Sequence, residues 1–159
     1  MIALLASVAL AAAPPCAQPV TPASAVQVGV ATRGRQVGGL GIAGIDGDTW
    51  SLTLLAPAGF ELFTVSGPPT TVQTGLDAWR PWLERLPVER DLRVIFAPAA
   101  EGACRAEHGR IRTHLTATGW ERRWCGKGGP VTATRDGGRV VLEDRRRGYT
   151  LTMVLDAAG

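Results

Sequence analysis

Hydrophobic and polar residues alternate with a period of two along most of the chain after residue 25. In the segment WSLTLL, Trp50, Leu52 and Leu54 share one face, and the C-terminal segment YTLTMVLD alternates in the same way. This period is typical of strands that bury one face. The linking residues 56–59 and 136–138 contain the Pro and Gly that tight hairpin turns favour. The pattern predicts about eight or nine strands in an antiparallel meander that closes on itself.

Two weaker strands, VQVGVATRG and RQVGGLGIAGI, precede that region. Their glycines indicate strong curvature or close backbone approach rather than a flat sheet. No helical segment follows Gly38, Gly39, Gly41 and Gly44, and this argues against a phosphate-binding loop.

One segment departs from the strand pattern. Over residues 74–87 the apolar residues Leu76, Trp79, Leu83 and Leu86 recur at helical spacing. Pro81 is expected to kink this helix or to divide it into two short ones. The next segment, DLRVIFA, fits either a second helix or a strand. One of Trp79 and Trp82 could pack against the sheet while the other is a partly exposed edge residue. Alternatively, both could form a lid over a ligand cavity.

The N-terminal residues 2–13, IALLASVALAAA, form an apolar stretch that ends in small residues. Its length suits the core of a signal peptide and is too short for a membrane span. Residues 1–15 are therefore predicted to be a signal peptide, which places the protein in the cell envelope. The absence of Lys or Arg before the stretch departs from the usual leader.

Cys16 directly follows this leader, as the lipidated first residue of a bacterial lipoprotein does. We therefore predict lipidation of Cys16, with a freely diffusing protein as the alternative. The Pro- and Ala-rich residues 16–25 would be a flexible tether, and residues 26–159 would form a single domain. The protein would then be an outer-membrane lipoprotein on the periplasmic face.

Cys104 and Cys125 are predicted to form a disulfide, because exported proteins fold in an oxidising compartment. Two alternatives stay open. The cysteines could bind a metal together with His108 and His114, although their spacing matches no compact zinc pattern. They could also be free thiols.

The composition is that of a globular protein, with 45% hydrophobic and 19% charged residues. The formal net charge is +3, and Arg145, Arg146 and Arg147 are the one dense basic run. This run is either a solvated turn or a contact for anionic lipid headgroups on a membrane surface. Nucleic acid is not an expected partner, because the charge is modest and the aromatic residues are not interleaved with basic ones.

The sequence offers little from which a catalytic site could be assembled. His108 and His114 are the only histidines, and neither lies near a Gly-x-Ser-x-Gly motif. His114 is predicted on a solvent-facing side of its strand. The acidic pairs Asp46/Asp48 and Glu143/Asp144 lie at turns, where acids usually bond their own backbone. The protein is predicted not to be an enzyme, with no cofactor and no metal; a metal-dependent hydrolase is the weakest alternative.

An envelope leader with a nearby cysteine, a curved antiparallel sheet and a Trp-bearing helical insertion resemble the bacterial lipoprotein-carrier superfamily of LolA- and LolB-like proteins. The segment GDTWSLTLLAPAGFELFTV is similar to the strand, Pro-x-Gly turn and strand of that group. The closing RVVLEDRRRGYTLTMVL is similar to its last hairpin. The resemblance covers residues 26–156.

The resemblance implies a mainly β (α+β) fold, a curved antiparallel half-open β-barrel with a short helical lid. It implies a non-enzymatic protein that binds lipid or lipoprotein acyl chains and takes part in lipoprotein transport. The implied ligand-binding residues are Trp50, Leu52, Leu54, Phe60 and Leu62 in the cavity and Trp79, Trp82 and Leu83 in the lid. The alternative is a structural or interaction module that contacts other envelope proteins.

Overall fold

A computed structural model of the protein describes residues 12–18 and 26–155. In this part of the chain eleven antiparallel strands form one sheet, with two short helices. The predicted mainly β class is confirmed. The strands are β1 Val26–Thr32, β2 Arg35–Asp46, β3 Thr49–Leu55, β4 Glu61–Gly67, β5 Thr71–Thr74, β6 Gly102–Ala106, β7 Gly109–Leu115, β8 Gly119–Gly126, β9 Val131–Asp136, β10 Arg139–Asp144 and β11 Tyr149–Leu155.

The strand order shows why the sheet stays open. It runs β5-β4-β3-β2-β1-β11-β10-β9-β8-β7-β6, so two meanders are joined where β1 pairs with β11. The edge strands β5 and β6 do not pair with each other within the described residues. The result is a curved, half-open sheet, as predicted, although with more strands than the sequence pattern suggested.

The helices lie between β5 and β6 in the chain. A 3-10 turn, Asp77–Trp79, leads into α1, Arg80–Leu83, and α2 spans Val88–Phe96. Pro81 lies in the first turn of α1, where a missing N–H costs nothing, so it helps to start the helix rather than to kink it. The segment DLRVIFA belongs to α2, which decides between the helix and strand interpretations.

The core lies between the concave face of the sheet and the helices. The strands alternate buried and exposed residues, and α2 packs against β2, β3, β8 and β10. The largest buried side chains include Phe63, Ile45, Leu52, Leu54, Leu83, Leu92, Ile111, Leu142, Leu151 and Met153. Burial of this many aliphatic and aromatic groups is the main source of stability for the fold.

The glycines of β2 permit close packing, as their positions in the sequence predicted. A Cβ atom on Gly39 would collide with the backbone carbonyl oxygen of Leu55, and one on Gly41 would collide with the Val28 side chain. These two positions accept no larger residue without movement of β1 or β3.

The segment of residues 12–18 runs beside the edge strand β6. The Cys16 N–H donates to the Arg105 carbonyl oxygen at 2.8 Å, and the Arg105 N–H donates to the Pro14 carbonyl oxygen at 2.7 Å. These two bonds form a parallel bridge at Pro15, which covers part of the exposed edge. In the described part of the chain no helix combines the length and apolar character required to cross a membrane.

Candidate functional site

The predicted cavity residues of β3 lie on the concave face. Trp50, Leu52 and Leu54 alternate with half-buried residues and are all buried. The prediction of their common face is confirmed. In this structure Leu52 and Leu54 pack against other groups of the core, and Trp50 also borders a surface groove of about 450 Å³.

The prediction that Phe60 and Leu62 of the β4 segment line the cavity is wrong. Phe60 lies in the turn before β4 and is 60% exposed, and Leu62 is only partly buried. The concave-face positions of this strand belong to Phe63 and Val65, both fully buried. The cause is a register shift: Leu54 pairs with Phe63 and Leu55 with Glu61, so Leu62 is an extra residue. An irregularity of one residue exchanges the two faces of a strand.

The predicted lid residues come together at one place. Trp79 and Trp82 are half-buried and pack edge to face, with ring centroids 5.9 Å apart. Trp82 packs in the same way on Phe63 at 6.5 Å. Leu83 is fully buried below them. The 3-10 turn and α1, which we call the lid, thus cover the β4 side of the concave face.

Arg35 joins the lid to the start of β2, a role that no pattern in the sequence indicates. Its guanidinium carbon lies 5.5 Å from the Trp79 ring centroid and 5.3 Å from that of Trp82. Cation–π contacts of this kind contribute about 0.5–2 kcal/mol each, depending on burial. Arg35 and Phe63 therefore both hold Trp82 in place.

Two hydrogen-bond donors, one in the lid and one beside it, have no acceptor in the described part of the chain. Arg35 Nη1 and Trp82 Nε1 are both buried, and neither has a partner among the described residues. A buried donor without an acceptor costs on the order of 1–3 kcal/mol. The pair therefore marks a place where a ligand acceptor atom would be favourable.

Helix α2 is anchored much more firmly than the lid. Five of its nine residues are buried, compared with only Leu83 in the lid. The buried Arg122 of β8 donates to the carbonyl oxygens of Val94, Ile95, Ala97 and Pro98 at 2.6–3.1 Å. Burial, with a smaller effect of the Arg135 charge, lowers the pKa of Arg122 to about 10, so it stays protonated at neutral pH.

Arg122 could have been found from the sequence. In WERRW it shares the face of Trp120 and Trp124, both of which are buried, so strand alternation points it inward. An arginine on an apolar face requires carbonyl or carboxylate partners. The end of α2 supplies them, because its last carbonyl groups have no partner within the helix.

A buried cluster of charges attaches the other end of α2 to β10. Arg90 lies 2.8 Å from Asp91 Oδ1 and 3.0 Å from Asp144 Oδ2, and both carboxylates are fully buried. Burial raises the pKa of Asp91 from its ordinary value of 3.8 to about 6, against the opposing effect of Arg90. The Tyr149 hydroxyl lies near Asp91, although the two groups do not meet the criteria for a hydrogen bond. Burial raises the pKa of Tyr149 as well.

The predicted pairing of Cys104 with Cys125 is wrong, because Cys104 is bonded to Cys16. Cys104 pairs in register with Ile111, and Cys125 pairs with Arg110 on the far side of β7. The cysteines are thus two strands apart, about 10 Å, and they point to opposite faces. Cys125 is an exposed free thiol.

The disulfide also replaces the predicted lipidation of Cys16, since one sulfur atom cannot carry both bonds. Residues 16–18, predicted as the start of a tether, lie along β6 instead. Most of the predicted signal peptide, residues 1–11, and tether residues 19–25 lie outside the described residues.

The other candidate residues do not converge on a site. His114 is exposed, as predicted, and its Nδ1 lies 3.2 Å from Glu101 Oε1. The Leu115 N–H, with a smaller effect of His114, lowers the pKa of Glu101. No group of three His, Cys, Asp or Glu side chains suited to a metal occurs in residues 12–18 and 26–155.

The basic run at the β10–β11 turn is partly used within the fold. Arg146 donates to the Gly129 carbonyl oxygen at 2.8 Å, and Arg147 donates to that of Arg85 at 3.0 Å. Arg145 is 91% exposed and lies 3.9 Å from Glu143. Only Arg145 of the three is therefore largely available to an outside partner.

An apolar groove of about 510 Å³ lies on the convex face, over β1, β2 and β11. The groove is lined on either side of Gln27 by Leu40, which is 48% exposed, and Val154, which is 42% exposed. Gly29 also lines it and has no side chain to fill it. The groove shares none of its lining residues with the lid.

Comparison with known proteins identifies the family. The model of the family described as "Protein of unknown function (DUF3261)" matches residues 24–156, which is most of the chain. The chain therefore belongs to this family. No curated protein matches it.

Proposed function

We propose that this DUF3261 protein is an exported, non-enzymatic envelope protein that holds an acyl chain of a lipid or lipoprotein between its concave face and its lid. The observation that carries the proposal is the pair of buried donors without acceptors, Arg35 Nη1 and Trp82 Nε1, at the edge of an apolar interior. Acyl chains end in ester, amide or carboxylate groups, and these groups supply oxygen acceptors.

The chemistry of the surrounding residues suits such a ligand. Phe63, Leu54 and Leu83 give an apolar surface, and transfer of an acyl chain from water to such a surface contributes about 0.8 kcal/mol per CH₂ group. The acyl oxygen would accept from Arg35 and Trp82, which removes the cost of their unpaired donors. A single polar end and an apolar tail therefore match the site.

Binding requires the lid to move, because the concave face is filled by protein side chains. The lid is the part suited to movement. Apart from its aromatic contacts and the buried Leu83, it is held by Arg80, which donates to the Val72 carbonyl oxygen at 2.8 Å. Helix α2, with Arg122 at one end and Arg90 at the other, would stay in place as the fixed wall of the site.

The location in the envelope rests on two features. The apolar leader precedes the domain, and Cys16 forms a disulfide with Cys104. Disulfides persist in oxidising compartments and are rare in the cytosol. Export would supply both the oxidant and the access to lipid.

A titration with dansyl-undecanoic acid, whose fluorescence increases in an apolar site, tests the proposal. The wild type is expected to bind with a saturable increase. Arg35→Met keeps the side-chain stem but removes the donor, and should weaken binding by about ten-fold. Trp82→Phe should weaken it in the same direction. Arg139→Met, at an exposed position on β10, is the matched control and should bind as the wild type does.

A flat titration of the wild type would refute acyl-chain binding. Equal affinity of the wild type and Arg35→Met would show that the donor pair is not the site. The second candidate function, a structural or interaction module, is favoured by the filled concave face. It predicts the flat titration together with unchanged folding of all variants.

A further inference from the structure

Four arginines lie together on the convex face of the last three strands of the sheet. Arg105 is in β6, Arg110 and Arg112 are in β7, and Arg123 is in β8, and all four are exposed. We call them the arginine patch. The patch is remote in the strand order from β2, β4 and the lid, so it is distinct from the proposed acyl-chain site.

The register places like charges directly opposite each other. Arg105 pairs with Arg110, and Arg112 pairs with Arg123. Like charges at opposite positions of neighbouring strands are destabilising. Within residues 12–18 and 26–155, none of the four side chains forms an ion pair, and the side chains of other arginines make the hydrogen bonds to protein groups. The fold therefore carries the repulsion of four cations without internal compensation.

The neighbouring acidic residues do not neutralise the patch. Glu107 contacts His108 at 3.3 Å, and Glu143 contacts Arg145 at 3.9 Å. Glu121 pairs across the strands with His114 and borders the groove of about 430 Å³ that Arg112 and Arg123 line. Among the described residues, Glu121 forms no ion pair with Arg112 or Arg123.

We propose that the arginine patch binds the anionic headgroups of a lipid membrane surface. The cations occupy two rows about 7 Å apart along the strands and span three strands about 5 Å apart. Such a spread fits several neighbouring headgroups better than one phosphate, which needs donors that converge. Anionic lipid attracts each arginine near its surface with an energy that corresponds to about a five-fold change in affinity.

The position of the N-terminal segment supports a membrane over other polyanions. Residues 14–16 are hydrogen-bonded to Arg105 of the patch, and Cys16 is joined to the neighbouring Cys104. The sequence directly before them is the apolar stretch of residues 2–13. Because a signal peptide carries the chain across a membrane before it is removed, this stretch favours a lipid surface over nucleic acid as the anionic partner. The patch also lacks an aromatic side chain on which nucleic-acid bases could stack.

Co-sedimentation with vesicles tests this inference without reference to acyl-chain binding. The probes are phosphatidylglycerol–phosphatidylcholine vesicles and pure phosphatidylcholine vesicles, at low and high salt. The wild type should sediment with the anionic vesicles only, and less at high salt. Arg112→Gln/Arg123→Gln should reduce binding at least ten-fold, and Arg105→Gln/Arg110→Gln likewise. Circular dichroism of each variant checks that it is folded.

The control is Arg33→Gln/Arg139→Gln, which removes the same charge from exposed positions outside the patch and outside the basic run of residues 145–147. It should retain binding within about two-fold. An equal loss in the control would overturn the inference, because net charge rather than the patch would then decide. Absence of binding to anionic vesicles would overturn it too. Tighter binding to heparin than to vesicles would assign the patch to a soluble polyanion instead.

Discussion

Arg122 of β8 donates a hydrogen bond of 2.7 Å to the carbonyl oxygen of Val94 in α2. The same guanidinium reaches the carbonyl oxygens at the end of this helix and lies 4.0 Å from the Trp120 ring centroid. Because the last carbonyl groups of a helix have no internal partner, this buried cation satisfies two of them, at Val94 and Ile95, and two more in the residues that follow the helix. The sheet and the helix are thereby fixed as one unit.

Arg122→Met is therefore expected to destabilise the protein by about 3–5 kcal/mol, because several buried carbonyl groups lose a charged donor at once. Urea unfolding monitored by circular dichroism measures the change. Arg123→Met at the neighbouring, exposed position should change the free energy of unfolding by less than about 0.5 kcal/mol. Equal effects of the two substitutions would contradict the role of Arg122.

The buried Asp91 should make stability depend on pH. Its pKa is raised to about 6 in the folded state, so the folded protein binds this proton more readily than the unfolded chain does. The resulting stabilisation is complete below pH ~4 and is lost as the pH rises through ~6, by an amount on the order of 2–3 kcal/mol.

Asp91→Asn replaces the titrating carboxyl group with an amide. The free energy of unfolding should therefore decrease less between pH 4 and 6.5 in this variant than in the wild type. Urea unfolding at several pH values measures the difference between the two proteins. Glu101, whose pKa is lowered, acts in the opposite direction and is present in both, so it cancels. Parallel pH profiles would show that Asp91 does not titrate in this range.

Thiol counting distinguishes the two cysteine pairings. Denatured, non-reduced wild type should contain one free thiol, Cys125→Ser none, and Cys104→Ser two. Cys104→Ser should also lose up to about 4 kcal/mol of stability, since the bond closes a loop across 88 positions. Two free thiols in Cys125→Ser would restore the pairing of Cys104 with Cys125.

Gly39 is expected to be intolerant of any side chain. Gly39→Ala would push a methyl group into the Leu55 carbonyl oxygen and should cost about 1–3 kcal/mol. Gly75→Ala, where the space is open and φ is not in the left-handed region, should be neutral or slightly stabilising. Thermal unfolding of both variants gives the comparison, and similar melting temperatures would argue against close packing at Gly39.

Much of the fold was predictable because strand alternation is a local property. The face shared by Trp50, Leu52 and Leu54, the helical spacing of Trp79 and Leu83, and the hairpin turns all follow from neighbouring residues. The lid itself could thus be located from the sequence, although Pro81 has a different role in it from the one predicted.

The facing of β4 could not be predicted from alternation. The one extra residue in β4 places Phe63, rather than Leu62, opposite Leu54 on the concave face. Alternation counts residues along one strand, whereas a bulge is decided by how that strand pairs with its neighbour.

By itself, the sequence determined the mainly β class, the antiparallel hairpins and the position of the lid, because these depend on residues a few positions apart. Only the tertiary structure decided the partner of Cys104, the place of Arg35 between Trp79 and Trp82, and the grouping of the four patch arginines. Each of these joins groups that are distant in the chain or lie on separate strands. The physical reason is that contact between them depends on strand order and register, which the whole sheet must form before any one pair is fixed.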